Sequence, residues 1–185
     1  MAKPSKEQIL LLDELRDFVI EVMRDMPEWV DAKVERLRSI PLGVLRRNAT
    51  QRHGVTRWKR GVNLHSLQPE DVEVIDIHPK MLNQQWKAYS AFVLHHEYIH
   101  ALGLRAHNGL FRQLEAAWPG RIAGEQGIQF TEHLRLEKAI WLWCCPDCQQ
   151  EFPRQKPSRK RYRCRKCNTI LLDKKNPNIA LASNH

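Results

Sequence analysis

The chain has 185 residues, enough for one well-filled core and a small appendage, and a formal charge of +9 from 30 Lys and Arg against 21 Asp and Glu. No stretch approaches the roughly 20 apolar residues of a membrane span, and the opening MAKPSKEQ does not read as a signal peptide. A protein without membrane contact is expected: cytoplasmic, nucleoid-associated in a prokaryote or nuclear in a eukaryote, where cysteines stay reduced.

Residues 7–26 repeat apolar side chains at helical spacing (Ile9, Leu10, Leu12, Leu15, Phe18, Val19, Val22) and predict an amphipathic helix. Pro27 interrupts it, and residues 29–40 predict a second helix ending at Pro41. Residues 42–50 and 55–59 predict strands around a polar turn, Gln51-Arg52-His53-Gly54, and the alternation over 72–77 predicts a further strand before Pro79. Helices follow over 85–102, 110–118 and 128–139, the middle one set between Asn108-Gly109 and Pro119-Gly120. Helices, then a small sheet, then more helices give an α+β fold. His53, His65 and His78 stand alone and are expected at turns or on the surface.

The helix over 85–102 contains His96-Glu97-Tyr98-Ile99-His100. Positions four apart share a helix face one turn apart, so both imidazoles can reach one metal ion. Glu97 lies beside the metal without ligating it, placed to take a proton from water. A catalytic zinc takes three protein ligands, and the nearest downstream candidate is His107. On an unbroken helix His107 would stand about 10 Å further along the axis, too far to share an ion. The chain must therefore bend, and Gly103 suits a left-handed helix end that would leave His107 at the mouth of the next helix, pointing back. Glu115, Glu125 and His133 compete for the third place; His107 is preferred on ligand chemistry and reach, with Glu115 expected to be a solvated helix-face charge.

Cys145-Pro146-Asp147-Cys148 and Cys164-Arg165-Lys166-Cys167 present two C-x2-C pairs at zinc-ribbon spacing. Four thiolates leave no open position, so this zinc is structural, and Cys144 is left over. From Trp143 onward there are ten Lys or Arg against three Asp or Glu, a net of +7. Arg154, Lys156, Arg159, Lys160, Arg161, Arg163 and Lys166, interrupted by Tyr162, are expected to contact nucleic acid. A second basic stretch adds Arg52, Arg57, Trp58, Lys59 and Arg60 to that expectation. Contacts of this kind hold phosphates without reading sequence.

In this order, the strand ending Ile75-Asp76-Ile77-His78-Pro79, the segment 96–102, His107-Asn108-Gly109-Leu110-Phe111 and the ribbon resemble the SprT-like metalloproteases, the family that includes Spartan. The resemblance implies a zincin-like metalloprotease core of helices with a small β-sheet plus a C-terminal zinc ribbon. It implies one catalytic zinc on His96, His100 and His107, with Glu97 activating water, and one structural zinc on the four cysteines. For eukaryotic relatives it implies DNA-dependent cleavage of proteins crosslinked to DNA. The glycine after His107 comes one place later than in the family pattern. The expected organisation is an N-terminal helical segment (1–40) forming part of the core, a metalloprotease core (41–140), a ribbon (141–172) and a flexible tail (173–185), with DNA and protein substrates as partners. The competing expectation is a DNA-binding ribbon protein without proteolysis, distinguished by one bound zinc in place of two.

Overall fold

Ser5 starts the first helix: its hydroxyl accepts from the Gln8 amide (3.2 Å) while the Gln8 side chain accepts from the Ser5 amide (2.9 Å), satisfying two orphan donors. The computed structural model describes residues 3–120 and 122–177, residues 122–124 by backbone alone. It runs through α1 (Lys6–Asp25), β1 (Leu42–Val44), β2 (Gly54–Trp58), β3 (Val72–Ile77), α2 (Lys87–Ala101), α3 (Gly109–Ala116) and α4 (Ile122–Lys138). The ribbon follows as β4 (Trp141–Cys144), β5 (Glu151–Arg154) and β6 (Leu172–Lys175). The architecture is α+β, and it divides into two units, Met1–Gly127 and Ile128–His185. Among the described residues no helix is long and apolar enough to cross a membrane.

α1 buries Leu12, Leu15, Val19, Ile20 and Met23, a narrower face than its apolar stripe, since Ile9, Leu10 and Phe18 remain exposed. The second helix expected over 29–40 is instead two 3-10 turns, Pro27–Trp29 and Val34–Ser39. Val34, Leu37 and Ile40 are buried at a spacing of three, which aligns on one edge of a three-residue turn and drifts around an α-helix.

The expected hairpin is also replaced. β1 and β2 do not pair; β3 lies between them, parallel to β1 and antiparallel to β2. β3 is buried at every position but Glu73, so it takes the centre, and residues 45–53 form a loop instead of continuing β1. One of its buried residues is charged. Asp76 receives Arg57 Nε at 2.7 Å, and the facing Gly43 leaves room for its carboxylate, since a Cβ there would come within 2.5 Å of Oδ1. A buried carboxylate is tolerated only with such a partner.

α2 packs against α1, β2 and β3. Behind it, His95 is fully buried, stacked on Trp118 (4.7 Å between centroids) and edge-on to Trp29 (5.9 Å), and serves as a core aromatic. His78 is buried too, not at the surface: it accepts from the Lys80 amide and its other nitrogen lies 3.1 Å from the Ala49 carbonyl, so it caps a turn.

In the second unit, β4 sits between β5 and β6, both antiparallel to it. The tail expected to be loose from residue 173 is therefore strand through Lys175, and Asn176 donates to the Leu136 and Ala139 carbonyls (2.8 and 2.7 Å). Residues 178–185 of that tail lie outside the described residues.

Burial pushes the His95 pKa down to about 3, so the folded chain keeps it neutral where the unfolded chain protonates it, below about 6.5. Between those values the unfolded state binds more protons, and stability falls as pH falls. From pH 7 to 5 in chelator, the wild type should lose about 2 kcal/mol more than His95→Phe, read from urea midpoints.

Candidate metal centre and ribbon

The first site is assembled by the way α2 ends. Leu104 N–H reaches the Ile99 carbonyl (3.3 Å) and Gly103 N–H the His100 carbonyl (2.9 Å), with Gly103 at φ +102°. This paired closure needs a left-handed residue, which glycine adopts without strain. The reversed chain brings the Leu104 carbonyl onto His100 Nδ1 at 2.7 Å, so one turn both ends the helix and orients its last imidazole. Asn108 then caps α3 by accepting from the Phe111 amide (3.0 Å), leaving His107 immediately before the cap and aimed back at α2.

His107 Nε2 stands 3.1 Å from His96 Nε2 and 3.2 Å from His100 Nε2. The Nδ1 atoms of His96 and His100 are occupied as donors, to Glu115 Oε1 (2.6 Å) and to the Leu104 carbonyl, so their Nε2 atoms present lone pairs. Lone pairs so close repel unless a cation lies among them. Bonds of 2.0–2.1 Å to a tetrahedral zinc would set ligand nitrogens about 3.3 Å apart, so the three imidazoles fit that ion. Burial holds the His100 pKa below its usual value, which favours the neutral, ligating form. Phe111, fully buried, meets all three rings at 4.6–4.8 Å between centroids and fixes their spread.

Glu97 is buried and its carboxyl is raised above the usual range by that burial. Thr56 on β2 donates to its Oε2 at 2.8 Å. The strand and helix approach this closely only because residue 54 is glycine: a Cβ there would come within 2.7 Å of both Glu97 Oε1 and Val93 Cγ1. An open cleft of about 390 Å³ carries these groups, flanked by Trp58, Arg52 and Arg105.

Glu115, expected as a solvated charge, is instead the carboxylate behind His96, held below its usual pKa chiefly by that hydrogen bond. It points at the ring's far nitrogen and is no ligand. The signal for it was its spacing, four residues after Phe111, which puts both on the face of α3 that meets the imidazoles. Glu125 lies exposed on α4, and His133 sits 3.9 Å from Glu137 on the same helix; neither belongs to the cluster.

The ribbon's four cysteines converge in the second unit, Cys145 and Cys164 buried and Cys148 and Cys167 partly so. Cys148 Sγ and Cys164 Sγ are 3.7 Å apart, far beyond a disulfide and close to the roughly 3.8 Å that 2.3 Å bonds to a tetrahedral zinc require. The two knuckles repeat each other: Gln149 and Asn168, each just after a second cysteine, are both left-handed (φ 59° and 55°). Each also returns its amide to the first cysteine's carbonyl, at 3.0 and 2.9 Å. Backbone amides of Cys167 and Lys166 bring the Cys164 pKa down to about 7, toward the thiolate. These four sulfurs suit a structural zinc.

The basic residues are distributed unevenly. Arg154, Lys156, Arg159 and Arg161 line a hollow of about 740 Å³ on the ribbon, with Trp143 stacked on Tyr162 (4.4 Å, 20°) and Arg154 over the Trp143 ring at 5.0 Å. Lys160 and Lys166 are exposed nearby in sequence, while Arg163 donates to the Asn168 carbonyl (2.7 Å). In the first unit, Arg57 is committed to Asp76, Lys59 donates to the Glu70 carbonyl (2.6 Å), Arg60 is exposed, and Arg52 and Trp58 belong to the metal cleft.

A family model for the SprT-like zinc ribbon domain matches residues 140–175. A relative named Protein SprT-like, from Streptococcus equi subsp. zooepidemicus (strain H70), is 25% identical over 107 residues, covering 54% of this chain and 69% of the relative. Another of that name, from Lactococcus lactis subsp. lactis (strain IL1403), is 29% identical over 111 residues, covering 60% of this chain and 72% of the relative. No solved structure matches the chain significantly.

Removing the carboxylate behind a metal-bound histidine commonly weakens metal affinity by about 10- to 100-fold. Glu115→Ala should show that loss at the imidazole site and Glu115→Gln, which still accepts from Nδ1, a smaller one. Cobalt titration reads it, because thiolate and imidazole sites absorb differently.

Proposed function

The chain belongs to the SprT-like family, and from that premise we propose that it is a zinc-dependent endopeptidase with a zincin-like core, acting on proteins bound or crosslinked to DNA. The observation that carries the reading is the convergence of three Nε2 atoms beside a buried carboxylate in an open cleft. Zinc held by His96, His100 and His107 supplies a Lewis acid that acidifies water and polarises a carbonyl.

The remaining steps belong to the chain's own side chains. Glu97 takes the proton from the attacking water and passes it to the leaving amine. Burial raises its pKa above the usual carboxylate range, while the Thr56 hydroxyl fixes Oε2 and favours the ionised form. Glu115 and the Leu104 carbonyl hold the ligand rings in the tautomer that turns Nε2 inward. β2 is an edge strand lining the cleft, so an extended substrate segment can add to it by main-chain hydrogen bonds.

The ribbon hollow supports the DNA part of the reading. Trp143 is engaged by Tyr162 and by Arg154, whereas Tyr162 is 52% exposed and offers a surface on which one unstacked base can lie. The four cations around it would hold the phosphates.

Purified chain should carry two zinc ions and cleave a DNA-binding protein faster with single-stranded DNA. Glu97→Gln should keep both ions and lose at least about 100-fold in rate. DNA binding with one ion per chain and no cleavage would favour the ribbon protein without proteolysis.

Four phosphate contacts predict a slope of about −3 for log K against log salt with single-stranded DNA. Tyr162→Ala should weaken binding without changing that slope, whereas Arg159→Gln with Arg161→Gln should flatten it; fluorescence anisotropy across a salt series reads both.

A further inference from the structure

We propose that Arg52 and Arg105 make the cleft selective for peptide segments carrying Asp or Glu close to the bond to be cut. The inference rests on the peptidase reading of the site and adds its substrate class. Arg52 enters the cleft from the segment just before β2, and Arg105 from the loop that ends in His107, so each reaches it beside a different part of the machinery. Both are exposed, and among the described residues neither has a carboxylate partner. Elsewhere in the unit Arg16, Arg36, Arg38 and Arg57 pair with Asp or Glu, while Arg46, Arg47 and Arg60 are exposed but line no part of the cleft.

Among the described residues the only acid lining the cleft is Glu97, which is buried and already engaged by Thr56. Two fixed cations therefore face a channel that supplies no free anion of its own. An extended segment beside β2 advances about 3.4 Å per residue, so Arg52, four residues before Thr56, lies within a few side chains of the position facing Glu97. An acidic side chain there gains a partner, and a basic one is repelled, so discrimination comes from both signs.

Nucleic acid is the other anion these arginines could meet. In the stretch around Arg52, however, the side chains of Arg57 and Lys59 are taken up by Asp76 and the Glu70 carbonyl, and the exposed Arg46, Arg47 and Arg60 line no part of the cleft. Arg52 itself shares its cleft with the three imidazoles. The peptide is the better fit.

The test is digestion of a proteome-derived peptide library by the zinc-loaded full chain, with cut sites read by mass spectrometry. Asp and Glu should be enriched near the cut bonds, and Arg52→Glu with Arg105→Glu should turn that preference toward Lys and Arg. Cleavage that needs Glu97 but ignores flanking charge overturns this inference and leaves the peptidase reading standing. A binding arm reads the same property without turnover: labelled acidic and lysine-substituted peptides of equal length are titrated against zinc-loaded Glu97→Gln by anisotropy. The acidic peptide should bind more tightly by roughly two- to fivefold per charge pair, less so as salt rises. Arg52→Gln with Arg105→Gln, added to that variant, should remove this part of the preference while leaving whatever the ribbon contributes. Equal binding of the two peptides, or a preference untouched by the double substitution, overturns the inference whether or not any peptide is cut. So does a loss of affinity for a single-stranded oligonucleotide with peptide preference unchanged, which would assign both arginines to nucleic acid.

Discussion

A straight helix can aim two imidazoles at one point but not a third, because each further turn carries the next side chain another 5.4 Å along the axis. The metal centre therefore depends on the reversal after His100, and the surrounding structure serves it. Gly103 supplies the left-handed turn, the Leu104 carbonyl exposed by that turn fixes His100, and Asn108 restarts the helix so that His107 faces backward. Phe111 and Glu115, one turn apart on α3, then set the rings' spread and the His96 tautomer. Eight residues of α3 are enough to do this, because the helix needs only one face and one cap.

What could be read from sequence was chemistry with a fixed local spacing. The His96–His100 pair, the C-x2-C knuckles, the breaking role of Gly103 and the cap at Asn108 all act over three to seven residues, and local geometry determines them. What could not be read depends on partners far along the chain. Residues 42–59 carry strand-forming side chains, but that β3 would insert between β1 and β2 follows from its burial, a property of the assembled core. The same holds for Thr56 and Gly54, whose importance lies in what stands 41 and 43 residues downstream. The 3-10 turn over 34–39 was legible in principle, from buried positions spaced by three, but that period is easily taken for helix when 3.6 is the expectation.

Charge follows a similar division. Among the described residues of the first unit, Arg16, Arg24, Arg36, Arg38 and Arg57 pair with carboxylates, one of them the buried Asp76, and two other arginines line the cleft. The ribbon leaves four of its cations, Arg154, Lys156, Arg159 and Arg161, facing a hollow that Trp143 and Tyr162 also line, where among the described residues no carboxylate lines the wall. A net charge alone describes neither arrangement. Arg57 and Arg159 look alike in composition, yet one neutralises an acid in the core and the other faces solvent.

The exposure of His107, set against the burial of Cys145 and Cys164, has a consequence for metal supply. An ion among the three imidazoles is released when one loop residue turns aside, with α2 and its paired histidines left in place. An ion among the four sulfurs is enclosed by strands that have little other core, so it departs only with the ribbon's fold. Under zinc scarcity such a chain would empty its imidazole site first, keep its ribbon folded, and refill that site on resupply without having to refold.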